Sequence, residues 1–539
     1  MESDVTVSVV VIVYNDAEQV ATAVHSALAQ GEAVGEVIVV NDASTDGTRE
    51  AVDALAAQHP RVRPLHRTEN SGGCGTPRND GIAAAKHPYV MFLDSDDVYP
   101  TGAVDALTAA ARPDIDVVAG ACVRRELPEG RDTVWAPALY DPTAGATLPG
   151  TVLDGLADHP ELLLDTLSVN KLYRRDFLTG HDATFPDGAF HYEDFVFTAK
   201  VYAAAPRIAV VDDPVYVWHV RRDAAELSIS LRRATIANWE HRVEAHRRVV
   251  EEFRTAGSAT LALAAQVKFL DYDLPMYTRE LPQRSADYRA DWWSATRAYL
   301  TSFDEAAYEA AEAPSRWLAR ALLAHGAPVE LERVVALAAQ PPRLLPPSSV
   351  NDAGVPVLAR GLPEVELDGL AELPARKLPL TVEGTLSVGP RLGFALTVRE
   401  LHGLLAPLGP TSLLLRLTDQ RGARPALEQE QPLRDGGDDA WRAEFSVRAR
   451  DLSDRERLMA WRVHAEVVCA DGTRIPAEVR AASSAVARRN VVLGAGLPLL
   501  VQAHVTPRRA LTVRVVGGVR GAQDVLGRRL KRLARKVKR

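Results

Sequence analysis

The feature that most constrains the fold of this chain is the stretch 89–100, YVMFLDSDDVYP. An apolar run over residues 89–93 stops at three carboxylates within four positions, Asp94, Asp96 and Asp97. A short apolar run predicts a buried strand, so the negative charge falls at the strand's carboxyl end. Carboxylates held close together repel one another, and such a cluster typically binds a cation or shares a proton. The stretch predicts a sheet edge that binds a divalent ion together with phosphate oxygens.

Further apolar runs alternate with helical patterns before this stretch. The strand-like runs cover residues 5–13, 37–40 and 62–65, and the helical patterns cover 17–30, 48–58 and 77–85. This alternation predicts βαβ units around a parallel sheet, with Asp16 and Asp46 as candidate caps of the first two helices. The first strand-to-helix turn has the sequence YNDA instead of GxGxxG, and no GxxxxGK[ST] occurs, which argues against dinucleotide and P-loop folds.

At 539 residues the chain is long enough for two to four domains. Paired short strands are predicted over 208–211 and 215–219, and helical patterns are clearest over 232–253 and 306–325. Proline pairs at 341–342 and 346–347 indicate a linker, and period-two alternation follows it. The predicted parts are an α/β domain (1–228), a helical region (229–340), a linker (341–377), a β-sandwich-like domain (378–516) and a basic tail (517–539).

Composition limits the compartment and the partners. Three scattered cysteines, Cys74, Cys122 and Cys469, argue against a disulfide framework or a zinc site and suit a reducing compartment. The acidic N-terminus is unlike a signal peptide, and no apolar run is long enough to cross a bilayer, so we expect a cytoplasmic protein. The net charge is −8, although residues 516–539 carry nine Lys or Arg against one Asp. The body is therefore strongly acidic, and nucleic acid is not an expected partner.

Six motifs carry a resemblance to a known family. VSVVVIVYN, NDASTDGT, NSGGCGTPRNDGI, FLDSDD, NKLYRRDFL and HYEDFVF occur in the order and at the spacing of family 2 glycosyltransferases. The resemblance covers about the first 225 residues and implies an inverting enzyme with the GT-A fold, a mostly parallel nucleotide-sugar-binding sheet. Ile12, where the family usually has Pro, and Asn41, where it usually has Asp, depart from the pattern. The layout of the later regions is loosely similar to that of teichoic acid glycosyltransferases with C-terminal trimerisation domains.

The resemblance implies roles for thirteen residues and one cofactor, Mn²⁺ or Mg²⁺. Asp194 matches the family's base, which takes the acceptor's proton, and Glu193 is its competitor. The resemblance implies that Asp96 binds the metal, together with Asp94, Asp97 and His219. Contact with the nucleotide sugar, with UDP as the expected nucleotide, is implied for Tyr14, Asn15, Asp42, Arg78, Asp94, Ser95, Lys171 and Arg221.

Each role has a structural alternative. The carboxylate cluster could be a solvated turn or a calcium loop, although an EF-hand would not place Val98 and Tyr99 at its fifth and sixth positions. Asp42 could form an Asx turn, and Arg78 could form a surface salt bridge. Asp194 could cap a helix. His219 and Lys171 could be structural.

The basic tail bears on the acceptor and the location. Residues 525–539 form a basic amphipathic pattern, and such helices lie on anionic membrane surfaces. We therefore expect a peripheral enzyme at the inner face of the membrane, acting on a polymer or lipid-linked glycan of teichoic or capsular type, and a homo-oligomer formed through the β-rich domain. The alternatives are a chain-extending polysaccharide synthase, or a non-catalytic glycan-binding or assembly protein with a degenerate transferase domain. The alternatives to membrane binding are a disordered, solvated tail and a tail that binds nucleic acid.

Overall fold

The computed structural model describes residues 5–128, 130–221, 233–389, 391–399, 402–419, 426–437, 440–454, 458–482, 491–493, 499–506 and 509–517. They divide into two compact units. Unit 1 comprises Met1–Phe269 and Ser302–Tyr308, and unit 2 comprises Leu270–Thr301 and Glu309–Arg539. Residues 518–539, which include the predicted membrane-binding segment, lie outside the described residues.

Within the described residues, unit 1 is built on a nine-stranded sheet. The first strands form from runs of β-branched and aromatic residues, and they are buried on both faces, as expected in a parallel sheet. The strands are β1 (Val7–Val13), β2 (Val34–Asn41), β3 (Val62–His66), β4 (Tyr89–Asp94), β5 (Val117–Leu127), β6 (Arg131–Val134), β7 (Val152–Asp154), β8 (Lys171–Arg174) and β9 (Arg207–Arg221).

The strand order of this sheet is β3-β2-β1-β4-β8-β5-β9-β7, with β6 paired to β5. Strand β1 pairs in parallel with both β2 and β4, and β5 pairs in parallel with β9. Strand β8 runs antiparallel to β4 and β5. The predicted mostly parallel sheet is therefore confirmed. Strand order reverses at β1, and such a reversal opens a crevice at the carboxyl ends of the two central strands, here β1 and β4.

Helices flank this sheet. They are α1 (Val20–Leu28), α2 (Thr48–Gln58), α3 (Gly75–Ala84), α4 (Ala103–Ala110), α5 (Pro137–Tyr140), α6 (Arg175–Gly180), α7 (Glu193–Ala203), α8 (Ile236–Thr255) and α9 (Ala259–Lys268). Helix α3 lies close against β1 because Gly81 lacks a side chain: a Cβ there would be 2.2 Å from Val10 Cγ1. Arg78, one turn earlier, lies on the same helix face and is buried with it.

Two elements differ from the sequence prediction. The strands predicted over 208–211 and 215–219 are one continuous strand, β9, because Pro214 is accommodated where the pairing with β5 is irregular. The helix predicted over 306–325 is two helices, α12 (Glu305–Ala310) and α13 (Ala313–Ala324). Pro314 lies in the first turn of α13, where a proline is compatible with a helix start but not with a continuing helix.

Unit 2 begins with helices and continues into a small sheet. The helices are α10 (Leu274–Thr278), α11 (Ala286–Leu300), α13 and α14 (Leu331–Leu337), and α12 is divided between the two units. The segment 341–377, predicted as a linker from its prolines, contains an antiparallel sheet of β10 (Ser349–Val350), β11 (Pro356–Ala359) and β12 (Leu362–Glu366). Leu362 and Val365 are fully buried, so much of this segment is folded.

The rest of unit 2 is rich in β-structure, and this confirms the fold class predicted for its sequence. Along β19 (Met459–Cys469) the side chains of Trp461, Val463 and Val467 are buried while Arg462 is exposed, as the period of two predicts. The strands are β13 (Thr381–Ser387), β14 (Arg391–Arg399), β15 (Pro410–Asp419), β16 (Leu427–Pro432), β17 (Arg434–Asp435), β18 (Ala440–Arg448), β19 (Met459–Cys469), β20 (Arg474–Ala481), β21 (Val491–Leu493), β22 (Leu499–Val505) and β23 (Leu511–Gly517).

None of the helices in the described ranges combines the length and the apolar character that crossing a bilayer requires.

Candidate active site

The carboxylate cluster lies at the carboxyl end of β4, where the strand order reverses. Asp94 is the last residue of β4 and is in register with Ile12 of β1. Ser95 Oγ donates a 2.7 Å hydrogen bond to Asp16 Oδ2, which links the ends of the two strands. The prediction that Asp16 caps the first helix is therefore wrong, because α1 begins later, at Val20, without a side-chain cap.

Arg78 joins three carboxylates at this edge. Its Nη2 donates to Asp94 Oδ1 at 2.7 Å, and its Nη1 donates to Glu193 Oε1 at 2.7 Å and to Asp194 Oδ1 at 3.0 Å. The Arg78 side chain is only 2% exposed. This corrects the alternative of a surface salt bridge, because the guanidinium lies inside the protein. The contacts of Arg78 place the Asp94 carboxylate beside those of Glu193 and Asp194, the two residues predicted for proton transfer.

Glu193 and Asp194 have raised pKa values. Burial and the neighbouring Asp194 raise the pKa of Glu193 to about 7, although Arg78 opposes the shift. Burial also raises the pKa of Asp194, against the effects of Arg78 and of a hydrogen bond from Ser168. The two carboxylates interact, so they titrate as a pair. A carboxylate pair that gains its proton near neutral pH is suited to general-base chemistry.

Asp194 is held by its neighbours and is not a helix cap. It lies in the first turn of α7, whose cap position is occupied by Tyr192. Ser168 Oγ donates to Asp194 Oδ1 at 2.7 Å, and Arg78 donates to the same oxygen. These two donors fix the rotamer of the side chain.

Asp97 is directed into the protein. It is buried, and its Oδ2 accepts a 2.7 Å hydrogen bond from Tyr216 Oη while its Oδ1 accepts one of 2.7 Å from the backbone N–H of His219. Burial, with Asp96 and Asp94 nearby, raises the pKa of Asp97 well above its ordinary value. Both oxygens are thus used to fasten the acidic loop to β9, and the structure does not bring Asp97 to the open side of the site.

Asp96 is the carboxylate of the cluster that faces outwards, with its side chain 44% exposed. Desolvation and the negative charges of Asp94 and Asp16 raise its pKa to about 6, although Arg221 opposes this. The Arg221 guanidinium lies 3.7 Å from Asp96 Oδ2 and also donates to Gln19 Oε1 at 3.1 Å. Asp96 therefore carries negative charge that its surroundings compensate only partly.

The donor set fits a cation that is shared with a substrate phosphate. Within the described residues, no group of three or more His, Cys, Asp or Glu side chains is arranged as a protein metal centre. Mg²⁺ in nucleotide sites typically takes one or two carboxylates, and phosphates and waters complete its shell. Asp94 and Asp96 fit that requirement. His219 Nδ1 donates to the carbonyl of Asp96 at 2.9 Å, so Nε2 is the ring nitrogen that carries the lone pair.

The side chains predicted for the nucleotide follow β1 and β2. Tyr14 is 51% exposed, and Asn15, with φ of 50°, accepts from the backbone N–H of Thr45 at 2.7 Å. Asp42 is buried, and its carboxylate accepts hydrogen bonds from Asn70 and from Ser71. Asp42 therefore holds the glycine-rich loop that follows β3, while Tyr14 presents an open aromatic surface.

Lys171 is not at the open edge. Its side chain is 0% exposed, and Nζ donates to Asp165 Oδ2 at 2.7 Å, to the carbonyl of Leu167 at 2.5 Å and to Asn170 Oδ1 at 3.1 Å. An ammonium has three donor hydrogens, and this arrangement uses all three within the protein. The structural alternative for Lys171 is the one that the contacts support.

Three residues of the site carried no signal in the sequence. Ser168 holds Asp194, Tyr216 holds Asp97, and Asp165 neutralises Lys171. Tyr216 lies on β9, within a motif-free strand, and its partner is 119 residues earlier. Ser168 and Asp165 lie in a segment, 165–170, that is rich in polar residues, as loops commonly are, and this composition does not point to a role in the site.

The sheet reversal, the acidic strand end and the buried carboxylate pair are arranged as expected for a nucleotide-sugar-binding α/β domain. Residues 8–157 match the model of the glycosyl transferase family 2. The matched residues lie within unit 1.

Three relatives each match about two fifths of the chain. YibD of Escherichia coli, described as an uncharacterized glycosyltransferase, is 31% identical over 41% of this chain and 63% of its own length. The poly(ribitol-phosphate) β-N-acetylglucosaminyltransferase TarS of Staphylococcus aureus is 30% identical over 41% and 36%. The poly(ribitol-phosphate) β-glucosyltransferase of Bacillus spizizenii is 28% identical over 42% and 34%. The chain thus spans between about a third and just under two thirds of these relatives.

The fold of the whole chain is also found in a solved structure. The crystal structure of S. aureus TarS aligns with 95% of this chain and 85% of its own, with a TM-score of 0.51 and 17% identity. Its residues 1–349 in complex with UDP-GlcNAc cover 66% of this chain and 97% of their own, with a TM-score of 0.51 and 21% identity. At this identity the likeness concerns the fold, and it confirms the predicted succession of an α/β domain, a helical region and a β-rich domain.

The contacts of Lys171 predict a loss of stability rather than of nucleotide affinity on mutation. Lys171→Met leaves Asp165 as an uncompensated buried charge, which costs about 3–5 kcal/mol of the free energy of unfolding. The double variant Asp165→Asn, Lys171→Met should recover part of this loss. Lys86→Met, at an exposed position, is the control and should leave stability unchanged. Denaturant unfolding of the three variants measures the effect, and a Lys171→Met protein of normal stability with weakened nucleotide binding would restore the nucleotide role.

Proposed function

We propose that this protein is an inverting, metal-dependent glycosyltransferase that moves a sugar from a nucleotide sugar, with UDP as the nucleotide, to a hydroxyl group of a cell-surface polymer. One observation carries the proposal: Arg78 holds Asp94, at the end of β4, beside the Glu193–Asp194 pair. A leaving-group side and a proton-accepting side are thus adjacent. The family 2 domain and the relatives named as glycosyltransferases support the reaction class.

In the proposed reaction, Asp194 accepts the proton of the acceptor hydroxyl. The new C–O bond forms on the face of the sugar opposite the diphosphate, and the bond to the diphosphate oxygen breaks in the same step. The nucleoside diphosphate leaves, and the anomeric configuration inverts. A divalent ion, when bound at Asp96 and Asp94, neutralises charge on the diphosphate.

Other side chains prepare this step. Ser168 and Arg78 keep the Asp194 carboxylate oriented toward one position. Arg221, beside Asp96, places a second positive charge on the leaving-group side. Tyr14 offers an exposed ring on which a nucleobase can stack. Glu193 competes with Asp194 as the base, and the pH experiment below distinguishes the two.

The relatives favour a polymer as the acceptor. Two of them are named for transfer to poly(ribitol phosphate), which is a teichoic-type chain. Another relative, ExoO of Rhizobium meliloti, is named as a succinoglycan biosynthesis protein and is 30% identical over 40% of this chain. That match favours the second candidate, a synthase that extends a polysaccharide chain. A donor and acceptor panel decides between the two.

Turnover of nucleotide sugars tests the function directly. With Mn²⁺ or Mg²⁺ present, release of UDP from one member of a donor panel is expected. Asp194→Asn should bind that donor normally and lose about 10²–10⁴-fold in turnover, because the base is missing. Asp96→Asn should lose the metal-dependent part of donor binding. Asp105→Asn, on the exposed face of α4, is the control and should behave as wild type. Full activity of Asp194→Asn, or no binding of any nucleotide sugar, would contradict the proposal.

The pH dependence of kcat/KM tests the base. A base works deprotonated, so the rate should fall as the pH drops through the apparent pKa of the pair, expected at about pH 7 from Glu193. In Glu193→Gln, Asp194 titrates without the negative charge of Glu193, so the fall should move to lower pH while activity is retained. Loss of activity in Glu193→Gln would make Glu193 the base. A wild-type profile that is flat between pH 5 and 8 would remove the pair from proton transfer.

We also propose that residues 525–539 bind the protein to the inner face of the membrane and that the β-rich domain of unit 2 forms a homo-oligomer. Nine Lys or Arg against one Asp over residues 516–539 support attraction to anionic lipid. Cosedimentation with anionic vesicles should be lost in a chain that ends at Gly517. Light scattering should give an oligomer mass, above the 58.5 kDa of one chain, for the full-length and the truncated protein. Vesicle binding that survives the truncation contradicts the membrane role, and a monomer mass contradicts the oligomer.

A further inference from the structure

Unit 2 contains a polar cavity far along the chain from the acidic cluster. Its volume is about 440 Å³, and its lining comes from the segments after α10, around α14 and along β19, β20 and β23. Cavities of this size hold small organic ligands. Its charged lining residues are Arg279, Arg343, Arg462 and Glu478. Three guanidinium groups thus face one carboxylate, and the cavity has a positive excess.

Arg343 is the most unusual of these residues. It is 4% exposed, and the only side-chain partner that the described residues give it is Glu478, whose Oε2 lies 2.9 Å from Nη1. Its Nε is buried and donates no hydrogen bond to any described residue. Burial, together with the like charge of Arg480, lowers the pKa of Arg343 below its ordinary value, against the effect of Glu478. A buried guanidinium with an unused donor is costly unless an anion or water completes its shell.

Other groups add donors to the cavity wall. Arg462 is exposed on β19, and within the described residues no hydrogen bond or ion pair engages its guanidinium. Thr506 Oγ accepts from the backbone N–H of Ala510 at 3.0 Å, so its own hydroxyl proton is left for a ligand. The Nη1 of Arg279 donates a hydrogen bond to the carbonyl of Ala338. The donors outnumber the acceptors, as in sites that bind oxyanions.

We propose that this cavity binds a phosphate-bearing anion through Arg343 and Arg462, with Thr506 as an additional donor. Guanidinium groups match the geometry of phosphate oxygens and bind them with two parallel hydrogen bonds. The cavity is much larger than one phosphate group, so the ligand carries an organic group as well. A free phosphate monoester and one unit of a phosphodiester chain share this chemistry. The site lies in unit 2 and does not depend on the transfer reaction proposed for unit 1.

Calorimetric titration of the full chain tests the site. The probes are glycerol 3-phosphate, a monoester, and glycerophosphoglycerol, a diester, with glycerol as the uncharged control. Saturable binding of at least one phosphate probe is expected, weakened by added salt, with no heat from glycerol. Tighter binding of the monoester identifies a free phosphate ester as the ligand, and tighter binding of the diester identifies a polymer unit.

Charge variants locate the binding. Arg462→Gln should weaken the affinity about tenfold, because one charge-assisted hydrogen bond is lost. Glu478→Gln should strengthen it several-fold, because the competing carboxylate on Arg343 is removed while an amide oxygen remains. Arg448→Gln, at an exposed arginine on β18 outside the cavity, is the matched control and should not change it. Thermal unfolding of each variant verifies the fold.

The outcomes separate this site from the catalytic one. Asp96→Asn should bind the phosphate probes as wild type does, whatever its effect on transfer. An equal loss of probe affinity in Arg462→Gln and Arg448→Gln would mean that binding depends only on the overall charge of the protein, and it would overturn the proposal. No binding of either probe at millimolar concentration, or no gain in Glu478→Gln, would overturn it as well.

Discussion

The site of unit 1 depends on one buried guanidinium. Arg78 compensates a single unit of charge, yet it contacts three carboxylates from β4 and α7. The sum of these four side-chain charges is therefore negative when the carboxylates are ionised, and such an excess raises proton affinities. Burial first, and then the negative charge of Asp194, raise the pKa of Glu193 to about 7. The same excess would attract a cation to the strand end, so the proposed base and the proposed ion-binding side share one electrostatic cause.

Close packing places Arg78 at that depth. Helix α3 can approach β1 only because Gly81 lacks a Cβ, which would lie 2.2 Å from Val10 Cγ1. At the start of the helix, a Cβ on Gly75 would lie 2.0 Å from the carbonyl oxygen of Pro186. Because backbone atoms cannot move aside as a flexible side chain can, a methyl group there would push α3 or the segment around Pro186 outward. The two glycines of α3 therefore allow the helix to approach β1 and the segment around Pro186 closely.

Local sequence was sufficient for the sheet and for the edge at which the site forms. Apolar runs and the acidic strand end depend on neighbours within a few residues, and the structure has both where the pattern predicted them. The partners of the charged groups were not predictable in this way. Ser168 meets Asp194 across 26 residues and Tyr216 meets Asp97 across 119, so each contact follows from the tertiary packing and not from local composition. Lys171 illustrates the difference. It belongs to a basic motif, yet its side chain is fully buried and forms an ion pair with Asp165.

The three carboxylates of the acidic motif have three different environments. Asp94 accepts a hydrogen bond from Arg78, which also contacts Glu193 and Asp194, while Asp97 is hydrogen-bonded to Tyr216 and to the backbone of His219. Asp96 has the most exposed carboxylate of the three, and desolvation, followed by the charges of Asp94 and Asp16, raises its pKa to about 6. A count of carboxylates in a motif therefore overstates the number of cation ligands. The two oxygens of Asp97 instead anchor the loop that presents Asp96.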